Sequence, residues 1–247
     1  MWCYEARRHS VERGDQMKPE KLQEHIYKTY YGLRNGFCVL AIAFPLLLIA
    51  IGWWNQIHIQ GSMSAYYFAF APEDSTLRVF PGRAVFVGLL FMLGVTMILY
   101  KGLSPLEDWL LNIAGAAGVV AALVPMQPPD YCKNCGSDAF AYVHEIAGVV
   151  AFSCIAAVAL FCTQTTLKKL PNADLEPWFR WAYRMLGAAM LLAPLAAIVM
   201  TRFLGIYDER IFFAEAVGLW VFATFWALRS YELHLSQYEW DALRGKS

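Results

Sequence analysis

The chain has 247 residues, 58% of them hydrophobic and 15% aromatic, with a mean hydropathy of +0.40. That much apolar surface exceeds what one soluble core of ordinary size takes up, so a membrane is its natural solvent. Twenty basic residues balance twenty acidic ones, and a net charge of zero carries no electrostatic footprint for nucleic acid.

In chain order, residues 1–35 are polar, with no cleavable signal: a secretory leader has a short basic start, whereas here a long polar stretch precedes an apolar run ending in Trp53-Trp54. Met17 is an alternative start to Met1. Leu22, Ile26, Tyr30 and Leu33 recur at helical spacing among charges, which predicts an amphipathic helix over 21–33 lying on the inner membrane surface. Six apolar runs follow: Gly36–Trp54, Ala84–Tyr100, Trp109–Met126, Val143–Cys162, Tyr183–Phe203 and Ile211–Leu228. Each is long enough to cross a bilayer as helix, which takes roughly 17 to 25 apolar residues because lipid offers no partner to an unpaired backbone group. The expected fold is therefore all-α, a polytopic six-helix transmembrane bundle over 36–228. After it, Tyr231, Leu235, Tyr238 and Ala242 continue a helical stripe into a polar tail over 229–247.

Between the first two runs, residues 55–82 contain Ser62, Ser64, Tyr66 and Tyr67 and then the acidic turn Pro72-Glu73-Asp74, a pattern that predicts a lid folded back on the bundle through its aromatics. Ala114, Gly118 and Ala122 repeat every four residues on the third run and predict close helix contact. Pro45 and Pro194 interrupt the first and fifth runs and are candidate kinks. With both termini in the cytoplasm, 15 of the 20 lysines and arginines fall on inner segments, so the positive-inside rule places the termini there, in the plasma (inner) membrane. Cys132 and Cys135 then lie in an outer loop, where a local disulfide is expected and a metal or redox CxxC is the alternative; Cys38, Cys154 and Cys162 read as packing.

The polar residues of the spans gather toward the outer end. Arg83 opens the second run, His144-Glu145 the fourth, and Glu215 lies a little over a turn inside the sixth, below Arg210. An ionisable group inside a span costs roughly 2.5 to 3.5 kcal/mol on the milder scales, so such groups face the bundle interior and pair. Arg83 with Glu145 or Glu215 is the expected pairing. Ser62, Ser64, Tyr66, Tyr67, Arg83, His144, Glu145 and Glu215 together form an expected outward-facing pocket for a lipid headgroup or amphiphile, with His144, Glu145 and Ser64 as candidate catalytic groups. On the inner face, Glu107 and Asp108 read as helix caps and Asn112 as the odd residue a turn further in. Arg83 and Glu145 at headgroup level, and His144 donating to a loop carbonyl, are the plainer structural alternatives.

The order of these motifs, Ser62-Met63-Ser64-Ala65-Tyr66-Tyr67, then Arg83-Ala84-Val85-Phe86-Val87-Gly88, Asn112-Ile113-Ala114-Gly115, Val143-His144-Glu145-Ile146-Ala147-Gly148 and finally Glu215, resembles the six-helix DRAM-related membrane proteins. The resemblance implies a lipid-linked or membrane-homeostasis role; the expected partner is a membrane lipid, with a second copy or another membrane protein as a further class, and no cofactor is expected. A second, more distant likeness is to the seven-helix hydrolases that include alkaline ceramidases and the adiponectin receptors. It implies zinc-dependent cleavage of a lipid amide or ester, with Ser62 or Ser64, Asp108 and His144 in the roles of serine, aspartate and histidine. The chain departs from that pattern in lacking an HxxxH pair in the last helix and one helix, and in placing Asp108 at the face opposite His144. His58, His144 and Glu215 are then the candidate zinc ligands.

Overall fold

A computed structural model describes residues 19–69, 81–126, 138–205 and 208–236. Six long helices, α1 (Pro19–Trp54), α2 (Pro81–Leu99), α3 (Pro105–Leu123), α4 (Asp138–Ala157), α5 (Leu175–Ile198) and α6 (Glu209–Ser236), make up the bundle, and among the described residues there is no strand. A 3-10 turn, Ser64–Tyr67, lies between α1 and α2. Five-residue π turns, Val158–Cys162 and Val199–Phe203, extend α4 and α5, and a one-turn helix, Gln164–Leu167, follows the first. All six long helices are long and apolar enough to cross a membrane.

Helix starts follow from local chemistry. Proline occupies the first position of α1, α2 and α3, where its missing N–H is not needed. At α3, Ser104 Oγ accepts the Glu107 N–H at 3.2 Å while Glu107 Oε2 accepts the Leu103 N–H at 3.1 Å, so both orphan donors are met. Asp108 adds the Gly102 N–H at 3.3 Å, and Asn112 Nδ2 donates to Asp108 at 3.5 Å. The helices also run past the apolar runs, because backbone hydrogen bonding continues wherever the flanking residues tolerate helix. Pro45 and Pro194 lie inside continuous helices.

The expected interfacial helix at 21–33 is instead the first part of α1, whose 36 residues rise about 54 Å at 1.5 Å each. Tyr30 and Leu33 pack against the protein core rather than presenting a stripe to lipid, and Tyr30 meets Tyr100 edge-on at 5.6 Å. Tyr27 Oη and His234 Nδ1, 3.3 Å apart, join the projecting parts of α1 and α6. Of the C-terminal stripe, Leu235 packs inward and Tyr231 is exposed; Tyr238 and Ala242 lie outside the described residues.

Each helix packs on its chain neighbour, and α6 returns to α1, so the six form a closed ring in chain order. Ala114, Gly118 and Ala122 are buried, as their spacing predicts. Two glycines face each other here: a Cβ on Gly94 would stand 2.7 Å from the Gly115 carbonyl oxygen and one on Gly115 2.5 Å from that of Gly94, so α2 and α3 touch backbone to backbone. Phe37, Tyr100, Phe222, Phe225 and Trp226 fill the middle with edge-on and tilted ring contacts. Outside, the most apolar stretches of the six helices are only 22–44% buried, and Trp53, Trp54, Trp109, Trp178 and Trp181 are all exposed near helix ends. An apolar exterior with tryptophan near the helix ends matches helices long and apolar enough to cross a membrane.

Candidate functional site

The loop from Asn55 to Ala69 caps one end of the ring, here the lid end; the end bearing the described starts of α1 and α3 is the tail end. α1 stops in a Schellman turn: Ile57 N–H donates to Gly52 O at 2.8 Å, Gln56 N–H to Trp53 O at 3.3 Å, and Gln56 takes φ +57°. The chain then turns back on itself. Ser62 Oγ accepts the Ala65 N–H at 3.1 Å and lies 3.2 Å from Ser64 Oγ, with both hydroxyls on Met126 Sδ. Tyr66 is fully buried as a wedge between two glycines: a Cβ on Gly52 would stand 3.2 Å from its hydroxyl, and one on Gly82 2.9 Å from its ring. Burial pushes its phenol above the ordinary range, so it is a neutral plug.

Glu215 sits directly beneath. Its Oε2 accepts the Met63 backbone N–H at 2.6 Å, a bond that ties the lid to α6. Arg83 does not pair with Glu215, as the sequence suggested. Its Nε donates to the Tyr67 carbonyl at 2.7 Å and its guanidinium lies 4.3 Å from the centroid of the Tyr67 ring. Beside them a groove of about 470 Å³ opens between α2 and α3, with Tyr67 and Arg83 at its head and Ala84, Val87, Gly88, Ala122 and Leu123 along it.

His144 hydrogen-bonds the Val124 carbonyl through Nδ1 at 2.8 Å and thereby fastens α4 to the end of α3. Glu145 and His58 are exposed. Asp108 opens α3 at the tail end, whereas His144 meets the far end of that helix, so the two do not share a site. Neither serine bonds to His144 among the described residues. Among them, too, no three His, Cys, Asp or Glu side chains gather as a metal would need, so His58, His144 and Glu215 are not brought together. Cys38, Cys154 and Cys162 are free thiols; Cys132 and Cys135 lie outside the described residues.

The tail end holds a second polar cluster that the sequence did not reveal. Arg34, Glu107, Arg229 and Glu232 are completely buried. Arg229 Nη1 contacts Glu232 Oε2 and Thr166 Oγ1, both at 2.6 Å, and Nη2 lies 3.7 Å from Glu107 Oε2. Tyr183 Oη donates to Glu232 at 3.1 Å; Arg34 donates to Ser230 Oγ at 3.2 Å and Tyr100 Oη at 3.4 Å. All sides of the ring contribute. The signal was present on α6, where Phe222, Trp226, Arg229 and Leu233 continue one buried stripe at helical spacing through a charge.

Comparison with known proteins found no match to any family model, to any curated protein or to any solved structure.

Proposed function

We propose that this is a multi-pass plasma-membrane protein with both termini in the cytoplasm, and that its outward-facing lid end binds the headgroup of a lipid or similar amphiphile in membrane sensing or homeostasis. The observation that carries this reading is the groove between α2 and α3, which sets a guanidinium at the head of an open, otherwise apolar surface. That pairing of chemistries suits a molecule with an anionic head and an acyl chain. Tyr67 holds Arg83 from two sides, so the cation is oriented before a ligand arrives. The half-buried acid Glu215 and the buried plug Tyr66 keep the lid seated beside it.

The test is lipid retention. Protein purified in detergent and reloaded with anionic phospholipid is weighed by native mass spectrometry, unmutated and as Arg83→Gln. A hydrogen bond to a charged group contributes about 1.5–3 kcal/mol, so the variant should bind roughly 10- to 100-fold more weakly. Equal retention would refute the reading, and release of free fatty acid from the loaded lipid would replace it with the hydrolase.

A further inference from the structure

The tail-end cluster is balanced in charge but not in hydrogen bonds. Two arginines and two glutamates cancel, so no counter-ion is called for. Yet Glu107 Oε1 and Glu232 Oε1 lack a donor, while Arg229 Nε, Arg229 Nη2 and Trp226 Nε1 lack an acceptor, all at atoms sealed from solvent. Such groups are ordinarily satisfied, because an unmade bond at a buried charge is costly. A bound cation would serve the two carboxylate oxygens and be repelled by Arg34 and Arg229. An anion would serve the donors and be repelled by Glu107 and Glu232. Only a small molecule that both donates and accepts meets both sets, and water does so with two to four hydrogen bonds.

We propose that this cluster is a binding site for structural water, and that the bound water completes an ionic latch across the tail end of the ring. The 3.7 Å separation of Arg229 Nη2 from Glu107 Oε2 is too long for a direct hydrogen bond and suits a contact shared with water. Through it α3 is fastened to α6, which also holds α1 through Arg34 and Ser230, α5 through Glu232 and Tyr183, and the turn after α4 through Arg229 and Thr166. The latch thus joins the ring by exchangeable polar contacts where the remainder of the core is aromatic packing.

Radiolytic footprinting of the full chain in nanodiscs, in 18O-labelled water, tests this directly. Radicals formed from a bound water oxidise the side chain next to it whether or not that side chain is exposed. Trp226 is fully buried, carries one of the orphaned atoms itself and stands three residues before Arg229 on α6, whereas Met190 is equally buried, more easily oxidised, and has no polar atom awaiting a partner. The expected result is 18O incorporated at Trp226 with Met190 silent. A silent Trp226 would show a dry site and overturn the proposal. Labelling of both residues at comparable rates would show opening of the whole bundle to bulk water, and would overturn it equally.

Discussion

At the scale of single residues, the two ends of the molecule respond to substitution for different reasons. Glu215 accepts a backbone N–H, so what matters is whether an acceptor remains. Glu215→Leu strands the Met63 N–H at a cost of about 1–3 kcal/mol, whereas Glu215→Gln keeps an amide oxygen in place and should cost less. Thermal unfolding in detergent, with protease cleavage within residues 55–69 as the local readout, separates the two; equal losses would mean that a charged partner, not the lid, holds Glu215. Arg229 is the opposite case. Arg229→Met leaves Glu107 and Glu232 buried without their cation, which typically costs about 3 to 5 kcal/mol. Replacing Glu107, Arg229 and Glu232 by methionine together removes the two carboxylates that the single change strands, leaves Arg34 on the Ser230 and Tyr100 hydroxyls, and should restore part of that stability. If the triple variant melts below the single one, the cluster stabilises the fold through its charges rather than merely being tolerated in it.

At the scale of elements, turn chemistry decides how the lid leaves α1. Gln56 holds a left-handed backbone that glycine adopts freely and L residues with a Cβ adopt at a cost of roughly 1–2 kcal/mol. Gln56→Gly should therefore raise stability by about 1 kcal/mol after its own entropic loss, and Gln56→Val should lower it, both read as shifts in unfolding temperature. Elements were the best-read level in the sequence. All six spans, the Ala114-Gly118-Ala122 contact and the Glu107-Asp108 caps follow from hydropathy, small-residue spacing and dipole rules that need only neighbouring residues. What escaped was that the helical segment over 21–33 and the stripe after 228 are continuous with α1 and α6, and that α5 starts at Leu175, since a hydropathy window closes at the first charges although the helix does not. Glu215 was legible as an acid in need of a partner because it stands alone among Phe212, Phe213 and Val217; the partner was not, because a backbone N–H carries no sequence mark. The tail-end cluster was marked only by Arg229 within the apolar stripe of α6, and its partners were not marked at all. Arg34 and Ser230 are 196 residues apart, and their meeting depends on α6 closing the ring against α1, which no local pattern announces.

At the scale of the whole molecule, the ring has a fixed polarity that the proposed orientation turns into a statement about which solution each end meets. Two basic residues counted toward the inner side, Arg34 and Arg229, are enclosed by carboxylates and hydroxyls and cannot act as free headgroup anchors. The bias persists without them, in the N-terminal segment and in Lys168, Lys169, Arg180 and Arg184 around the start of α5. Arg180 is tied to Glu176 and Arg184 is exposed beside Trp181, where a cation and an indole together suit an anionic headgroup layer. The orientation is tested with single cysteines in a cysteine-free chain, Asp74→Cys and Asp174→Cys, and a maleimide that cannot cross the membrane, applied to intact cells. Labelling at 74 and not at 174 is expected. It would put the groove headed by Arg83 toward the outside and the latch toward the cytoplasm, so that Arg83→Gln should alter response to lipid added outside. The reverse pattern would invert the molecule, and the same groove would then sample the cytoplasmic leaflet, whose anionic lipids are the better match to an arginine.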